Sequence, residues 1–380
     1  MQLLGQYRTI YTGEEEHLSS RTSRKGEFVK TGEVMAVNQL YRAASSDIIS
    51  EYCLGQSTEF LDKDSYDAPF LEAIDTAFNM VHWLTHLPWL GTLIEAVPLW
   101  TVTIIAPKLE PLRKVYMNWE KQIRNLSDTR VSPPEKPVVL HGLLNSDLPP
   151  SEKSLFRINQ EARVLVLAGQ DSTAWTLSAI TFHLLSNPDK LAKLKKELSQ
   201  AIPSPSKLPA CADLEKLPYL TAVIKEGLRL HPGAVLRMQR VSPDKPLVYK
   251  DDVKDIYWSI PPGTPISMTA PLIHKNSRVF PNPNKFEPER WLANPRLDRY
   301  LLSFSKGTRM CLGVNLAYQE IYIFIAGIFR NYDLCQGEME KPGPVLSLYE
   351  TVREVDVDAV ADMVVAKPAV GSKGVQIYVR

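Results

Sequence analysis

The sequence predicts a mainly α-helical chain with small β-sheets, an α+β class carried by a single domain over residues 34–380. Three observations carry this. Apolar residues recur at steps of three and four through most of the first two thirds of the chain. Short runs of strand type occur only late, between turn signals. Prolines, 29 of the 380 residues and about 8% against a usual ~5%, gather in connections rather than in periodic segments, so stiff loops separate the helices.

Taken in order, residues 1–33 are polar, with runs such as Gly13-Glu14-Glu15-Glu16 and Arg21-Thr22-Ser23-Arg24-Lys25, and read as an N-terminal segment that need not be ordered. From Val37 apolar residues fall at Leu40, Tyr41, Ala44, Ile48 and Tyr52, and Gly55 supplies a C-terminal stop. Phe70, Ile74, Ala77, Phe78, Val81 and Leu84 give a second helix. The stretch from Trp83 to Pro107 is apolar but broken by His86, Pro88, Glu95 and Pro98, whereas a spanning helix needs about 20 apolar residues in a row. Its tryptophans among leucines suit a surface that dips into a membrane interface and equally a buried pair of short helices. Leu109, Leu112, Tyr116, Trp119, Ile123 and Leu126 form a further one-faced helix.

Beyond a proline-rich connection (Pro133, Pro134, Pro137, Pro149-Pro150), Ser151 can cap a helix that meets no proline until Pro188. Such a helix of about 36 residues is roughly 54 Å long and crosses the whole molecule. Residues 163–185 are apolar on nearly all sides, which predicts burial. In its middle stands Ala168-Gly169-Gln170-Asp171-Ser172-Thr173. A glycine costs roughly 1 kcal/mol in a helix interior, and Asp171 puts a carboxylate into an apolar run. Two small residues let a flat ligand lie against the helix, and a hydroxyl at Ser172 or Thr173 can bond back to a carbonyl and open the ladder. A glycine for close helix packing beside a solvated aspartate is the plainer reading.

A charged helix over 189–200 and a loop with Pro203, Pro205 and Pro209 lead to a helix that Pro218 opens and His231-Pro232 closes. Glu226 and Arg229 share one face of it, a pair that alone carries little information. Strand-like runs follow at 247–249, 256–260 and 264–268, with Pro261-Pro262-Gly263 as a turn, and the tail from 344 alternates loops with strands.

Charge excludes some functions. With 44 basic and 43 acidic residues, a formal +1, nothing suggests nucleic acid or another anionic partner. Cys53, Cys211, Cys311 and Cys335 form no C-x-x-C pair, so neither a zinc site nor a disulfide framework is indicated. The chain reads as one folded in a reducing compartment.

One cysteine stands apart. Phe304-Ser305-Lys306-Gly307-Thr308-Arg309-Met310-Cys311-Leu312-Gly313 runs into an apolar helical segment over 314–330. Backbone amides and a helix N-terminus facing the sulfur favour its thiolate. Gly307 and Gly313 let the backbone approach a large flat ligand. Phe304 can cover the sulfur, and Arg309 can hold an anionic group at the ligand's edge. Thiolate, apolar wall and edge cation describe a haem bed, although any single buried cysteine is more often core packing.

The decade matches F-x-x-G-x-R-x-C-x-G at every fixed position and resembles the haem-thiolate loop of the cytochrome P450 family, closest to the fungal microsomal members of secondary metabolism. The hexad at 168–173 resembles that family's oxygen-activating motif, with Ser172 where threonine is usual. Lys225 to Pro232 resembles its E-x-x-R helix, and Arg290 in Phe286-Glu287-Pro288-Glu289-Arg290-Trp291 the third member of a structural cluster with Glu226 and Arg229. Arg240 resembles a propionate-binding arginine. The resemblance implies a haem b held by Cys311, with Arg309, Arg240, Phe304, Gly307, Gly313, Ala168 and Gly169 around it, and Asp171, Ser172 and Thr173 in proton delivery. It further implies a monooxygenase that uses O2 and electrons from an NADPH-cytochrome P450 reductase on a small apolar metabolite of terpenoid or polyketide type. The implied location is the cytoplasmic face of the endoplasmic reticulum membrane, with peripheral contact through 83–107, or the cytoplasm. Such enzymes carry an N-terminal membrane helix, first strands, a substrate-recognition loop and a W-x-x-x-R helix earlier in the chain, none of which is found here. The resemblance is therefore to an N-terminally truncated member, and the alternative is an inactive remnant or interaction protein with weak or no haem binding.

Overall fold

The computed structural model describes residues 34–379 apart from 64, 97–100, 102, 103, 105, 129–137, 206 and 335–344. The polar segment 1–33, Pro98, Pro133, Pro134, Pro137 and Cys335 lie outside the described residues. The helices are α1 (Val37–Leu54), α2 (Ala68–His86), α3 (Pro88–Ala96), α4 (Glu110–Asp128), α5 (Val139–Leu144), α6 (Leu155–Ser186), α7 (Pro188–Ala201), α8 (Cys211–Leu214), α9 (Pro218–Leu230), α10 (Ala270–His274), α11 (Glu289–Ala293) and α12 (Val314–Asn331). Small sheets complete the α+β architecture. A four-stranded sheet has the order β1 (Val34–Ala36), β10 (Gln376–Val379), β7 (Val345–Leu348), β6 (Asp333–Leu334), antiparallel except for β6 beside β7. Antiparallel pairs join β2 (Met238–Val241) to β5 (Pro265–Met268), β3 (Leu247–Asp251) to β4 (Ile256–Ile260), and β8 (Ala361–Met363) to β9 (Val365–Lys367).

The central helix α6 has 32 residues, about 48 Å at 1.5 Å per residue. It starts later than the sequence predicts: its cap is Ser154, whose side chain accepts from the Arg157 N–H, not Ser151. Pro149 and Pro150 explain the delay, because their carbonyls are taken by turns to Glu152 and Lys153 before the helical ladder can begin. α1 stops at Gly55, which adopts φ 79° and bonds back to the Glu51 carbonyl. Only glycine takes that conformation without a Cβ penalty.

Burial follows from this arrangement. Helices α1, α6, α7, α9 and α12 share one apolar core containing Tyr41, Leu177, Ile180, Leu194, Val223, Ile325 and Phe329. Each such side chain contributes about 1.5–3 kcal/mol by leaving water. A second cluster (Ile49, Trp119, Ile123, Leu140, Ile158) ties α1, α4, α5 and α6, and a third (Phe60, Phe70, Ile74, Leu112) seats α2 on α4. Trp83 and Trp89 are exposed, at 65% and 62%, so burial does not account for those two residues. No helix among the described residues is long and apolar enough to cross a membrane.

Candidate cofactor site

The cysteine loop is shaped by its backbone. Cys311 N–H donates to the Phe304 carbonyl at 2.8 Å and Met310 N–H to Gly307 at 3.1 Å, while Ser305 and Gly307 adopt φ of 58° and 80°. The loop thereby folds back on itself and presents Cys311 as an exposed thiol just before α12. It is anchored from behind: Ser303 Oγ donates to the Leu228 carbonyl of α9, and Leu302 N–H to His274 Nε2. Phe304 turns toward the core and packs on Tyr318, with ring centroids 5.1 Å apart. A Cβ at Gly307 or Gly313 would meet nothing within 4 Å.

The thiol itself behaves otherwise than the loop sequence suggests. Desolvation by the surrounding chain pushes its pKa up, and the Gly313 N–H pulls it back only in part. One amide does not outweigh the hydration lost by the sulfur.

On α6 the hexad divides. Ala168 is exposed, as is Val164 at 63%, in a helix otherwise largely buried. Gly169 faces the other way: a Cβ there would lie 2.8 Å from Cγ1 of Ile49. The close approach of α1 accounts for that glycine, against the expectation that it makes room for a flat ligand. Ser172 Oγ donates to the Ala168 carbonyl at 2.9 Å, and Thr176 Oγ1 to the Ser172 and His231 carbonyls. Despite these back-bonds the helix is continuous, and the local opening predicted at the hexad is absent. Thr173 is buried. Asp171 is not solvated: it is 8% exposed and its Oδ1 lies 2.5 Å from Arg42 Nε of α1.

Residues 233–240 connect the two halves. The Gly233 backbone lies against Ser172, so closely that a Cβ would sit 2.6 Å from the Ser172 Cα and carbonyl oxygen. Arg240, exposed on β2, donates from Nη2 to Ser305 Oγ at 3.2 Å. One segment thus touches the central helix at one end and the cysteine loop at the other. Arg309 is exposed and makes no ion pair or side-chain hydrogen bond among the described residues.

Glu226, Arg229 and Arg290 come together in the interior. Arg229 grips both Glu226 oxygens at 2.8 and 2.9 Å, and Arg290 Nε reaches Oε1 at 3.1 Å. The arginines also donate to the carbonyls of His274, Pro281 and Pro283. Sequence reasoning missed two members: Trp291 Nε1 donates to Glu226 Oε2, and Glu287 N–H to Oε1. It also missed Arg42. The available signal was a lone cation among Ala43, Ala44, Ser45 and Ser46, where small residues on every side of α1 mark a helix buried all round.

The chemistry of these residues would suit a haem: an exposed sulfur, open space at both flanking glycines, the exposed Arg240 and Arg309, and exposed apolar side chains at Val164, Met310 and Leu312.

Comparison with known proteins is consistent with that fit. A family model described as Cytochrome P450 matches residues 4–349. The cytochrome P450 monooxygenase tpcC of Cochliobolus heterostrophus is 37% identical over 368 residues, covering 96% of this chain and 70% of that protein. The cytochrome P450 monooxygenase sdnE of Sordaria araneosa is 34% identical over 383 residues, with coverage of 96% and 70%. The cytochrome P450 monooxygenase astB of Talaromyces wortmannii is 37% identical over 360 residues, covering 92% and 67%.

Proposed function

This chain belongs to the cytochrome P450 family, an oxidoreductase family, and from that premise we propose that it is a haem-thiolate monooxygenase in which Cys311 would hold the haem iron. The observation that carries the reading is the loop at 304–313, which offers one exposed thiol beside two glycines with open space and an exposed arginine. Haem b, when bound, supplies the activation of dioxygen and the transfer of one oxygen atom to a carbon–hydrogen bond.

The chain's own residues do the rest. Cys311 would hold the metal as a thiolate. Arg309 and Arg240 receive the anionic edge groups by charge-assisted bonds. Ala168 and Val164 give an apolar wall that excludes water. Ser172 has a rotatable hydroxyl, resting on the Ala168 carbonyl, and Asp171 has a buried Oδ2 with no hydrogen-bond partner. A carboxyl next to a hydroxyl could hold and pass a proton between Asp171 Oδ2 and Ser172 Oγ. Serine lacks the methyl that fixes a threonine rotamer, so this relay is less constrained than one built on threonine. Thr173, buried beside them, keeps the adjoining backbone dry.

The substrate in this reading is an apolar metabolite of terpenoid or polyketide type, and the electrons come from an NADPH-dependent reductase. The exposed Trp83 and Trp89 on α2 and α3 suit contact with a membrane surface, in line with work at the cytoplasmic face of the endoplasmic reticulum. The test is turnover of the haem-loaded chain with purified reductase, NADPH and a panel of terpenoids and polyketides. Products heavier by one oxygen are expected, lost in Cys311→Ala. Product formation that survives in that variant would overturn the assignment.

A further inference from the structure

The connection from β2 to β3 carries an order of residues that the proposed chemistry does not use. Ser242-Pro243-Asp244-Lys245 follows Val241, the last residue of β2. A serine with proline directly after it and a basic residue at the third place is the order that proline-directed protein kinases accept. The surroundings suit that use. Val241 is 51% exposed, Pro243, Asp244, Lys245 and Pro246 are exposed, and residues 242–246 belong to no helix or strand. Ser242 itself is half-buried, and its hydroxyl donates to the Lys245 carbonyl at 2.7 Å in a bond that faces solvent. Such a bond is exchanged for one to water at small cost.

A second observation lies on the same strand. The backbone stays beside the β5 side past Val241, because the Gly263 N–H donates to the Ser242 carbonyl at 2.9 Å. Residues two apart in an extended chain share a face, so Ser242 stands next to Arg240, about 7 Å away between Cα atoms. Arg240 is exposed and forms no ion pair among the described residues: Nη1 donates to the Gln239 carbonyl, and Nη2 to Ser305 Oγ at 3.2 Å. The same order of residues occurs at Ser204-Pro205-Ser206-Lys207, but there Ile202 stands two places before the serine. Only at Ser242 does an arginine hold that place.

We propose that Ser242 is a phosphorylation site and that its phosphate draws Arg240 away from the cysteine loop. The consequence rests on the haem-thiolate reading above, in which Arg240 receives an anionic group at the cofactor's edge. In the modifying step the bond from the γ-phosphorus of ATP to its bridging oxygen breaks, a phosphorus–oxygen bond forms to Ser242 Oγ, ADP leaves and the hydroxyl proton goes to solvent. The product carries a charge of about −1.5 to −2 at pH 7 and three acceptor oxygens. A guanidinium binds such a group through two parallel charge-assisted bonds. Ser305 Oγ is a neutral partner at 3.2 Å and competes poorly with it. Arg240 therefore turns from the loop to the phosphate, the cofactor's edge keeps Arg309 alone, and haem is released more readily.

The test uses the full 380-residue chain in a Ser204→Ala background, treated with a purified proline-directed kinase and ATP, with Ser242→Ala as the chain that cannot be modified there. Peptide mass spectrometry is expected to place a phosphate on Ser242. Phosphorus NMR then reads the contact with no cofactor present: the second pKa of that phosphate is expected below its ordinary value of about 6, and to rise toward it in Arg240→Gln. With haem loaded, transfer of haem to excess apomyoglobin is expected to become several-fold faster after phosphorylation, a difference that Ser242→Ala and Arg240→Gln both abolish. The proposal is overturned if Ser242 takes up no phosphate, if the second pKa is the same in Arg240→Gln as in the parent, or if phosphorylation leaves haem transfer unchanged. A chain that shows the phosphate and its Arg240-dependent pKa but binds no haem in either form overturns the haem-thiolate reading and the release step, and upholds the phosphate contact.

Discussion

Single residues in this chain differ in whether their reason is visible from the sequence. Cys311 was legible because the fixed positions of its decade recur around it, and the structure then shows how the loop turns the sulfur outward. Gly233 carried no such mark, since nothing in Pro232-Gly233-Ala234 says what its backbone will meet. It meets Ser172 with no space for a Cβ, and the obstructing atoms are the Ser172 Cα, Cβ and carbonyl oxygen, none of which a rotamer change can move away. Gly233→Ala therefore has to push the 233–240 segment off the central helix. Overpacking of this kind costs about 1–3 kcal/mol, seen as a lowered melting temperature. Haem content should fall as well, because the same segment carries Arg240 to the cysteine loop. A variant with unchanged melting and full haem content would show that the segment does not join the two halves of the site.

At the scale of elements, helix periods were readable from residue spacing, while the identity of each helix's neighbour was not. Gly169 shows the limit: its sequence context fits a ligand bed and a helix crossing equally, and only the position of Ile49 on α1 decides for the crossing. The contact between α1 and α12 is similar. Glu320 of α12 is buried and accepts from Ser45 Oγ at 2.7 Å. Burial pushes its pKa up to about 8, against a small downward pull from that hydroxyl. The folded chain therefore binds this proton more tightly than the unfolded chain. The resulting stability is fully present below the ordinary carboxyl pKa of about 4.3 and is lost as pH rises through 8, by up to about 1.4 kcal/mol per unit. Glu320→Gln should remove that decline between about pH 4 and 8 in thermal melts. A decline as steep in the variant as in the parent would place its origin elsewhere. On the acid side, His183 and His231 share a bond between Nε2 atoms at 2.8 Å. Burial lowers both, His231 to about 3, so their contribution is present above the ordinary histidine value and is lost as pH falls toward 3.

For the whole molecule, the α+β class, the long central helix and the late strands were open to inspection because they depend on local period and punctuation. The partnering of β1 with β10, which brings the first described strand to the last, was not, since it joins Val34 to Tyr378 and no local signal spans that distance. The run of ion pairs from Lys367 through Asp75 and Arg42 to Asp171 escaped for the same reason: four residues on four elements are adjacent only in the folded state. In the proposed reading, the exposed thiol of Cys311, the exposed Arg240 and Arg309 and the exposed face of α6 at Val164 and Ala168 would hold the cofactor. The measurement that tests this most directly is the carbon monoxide difference spectrum of the reduced chain, scaled to haem per protein. The account predicts about one haem per chain with the strongly red-shifted Soret band of thiolate ligation, and loss of that band in Cys311→Ala. A folded, helical chain that takes up no haem, or binds it without that band, would contradict the account.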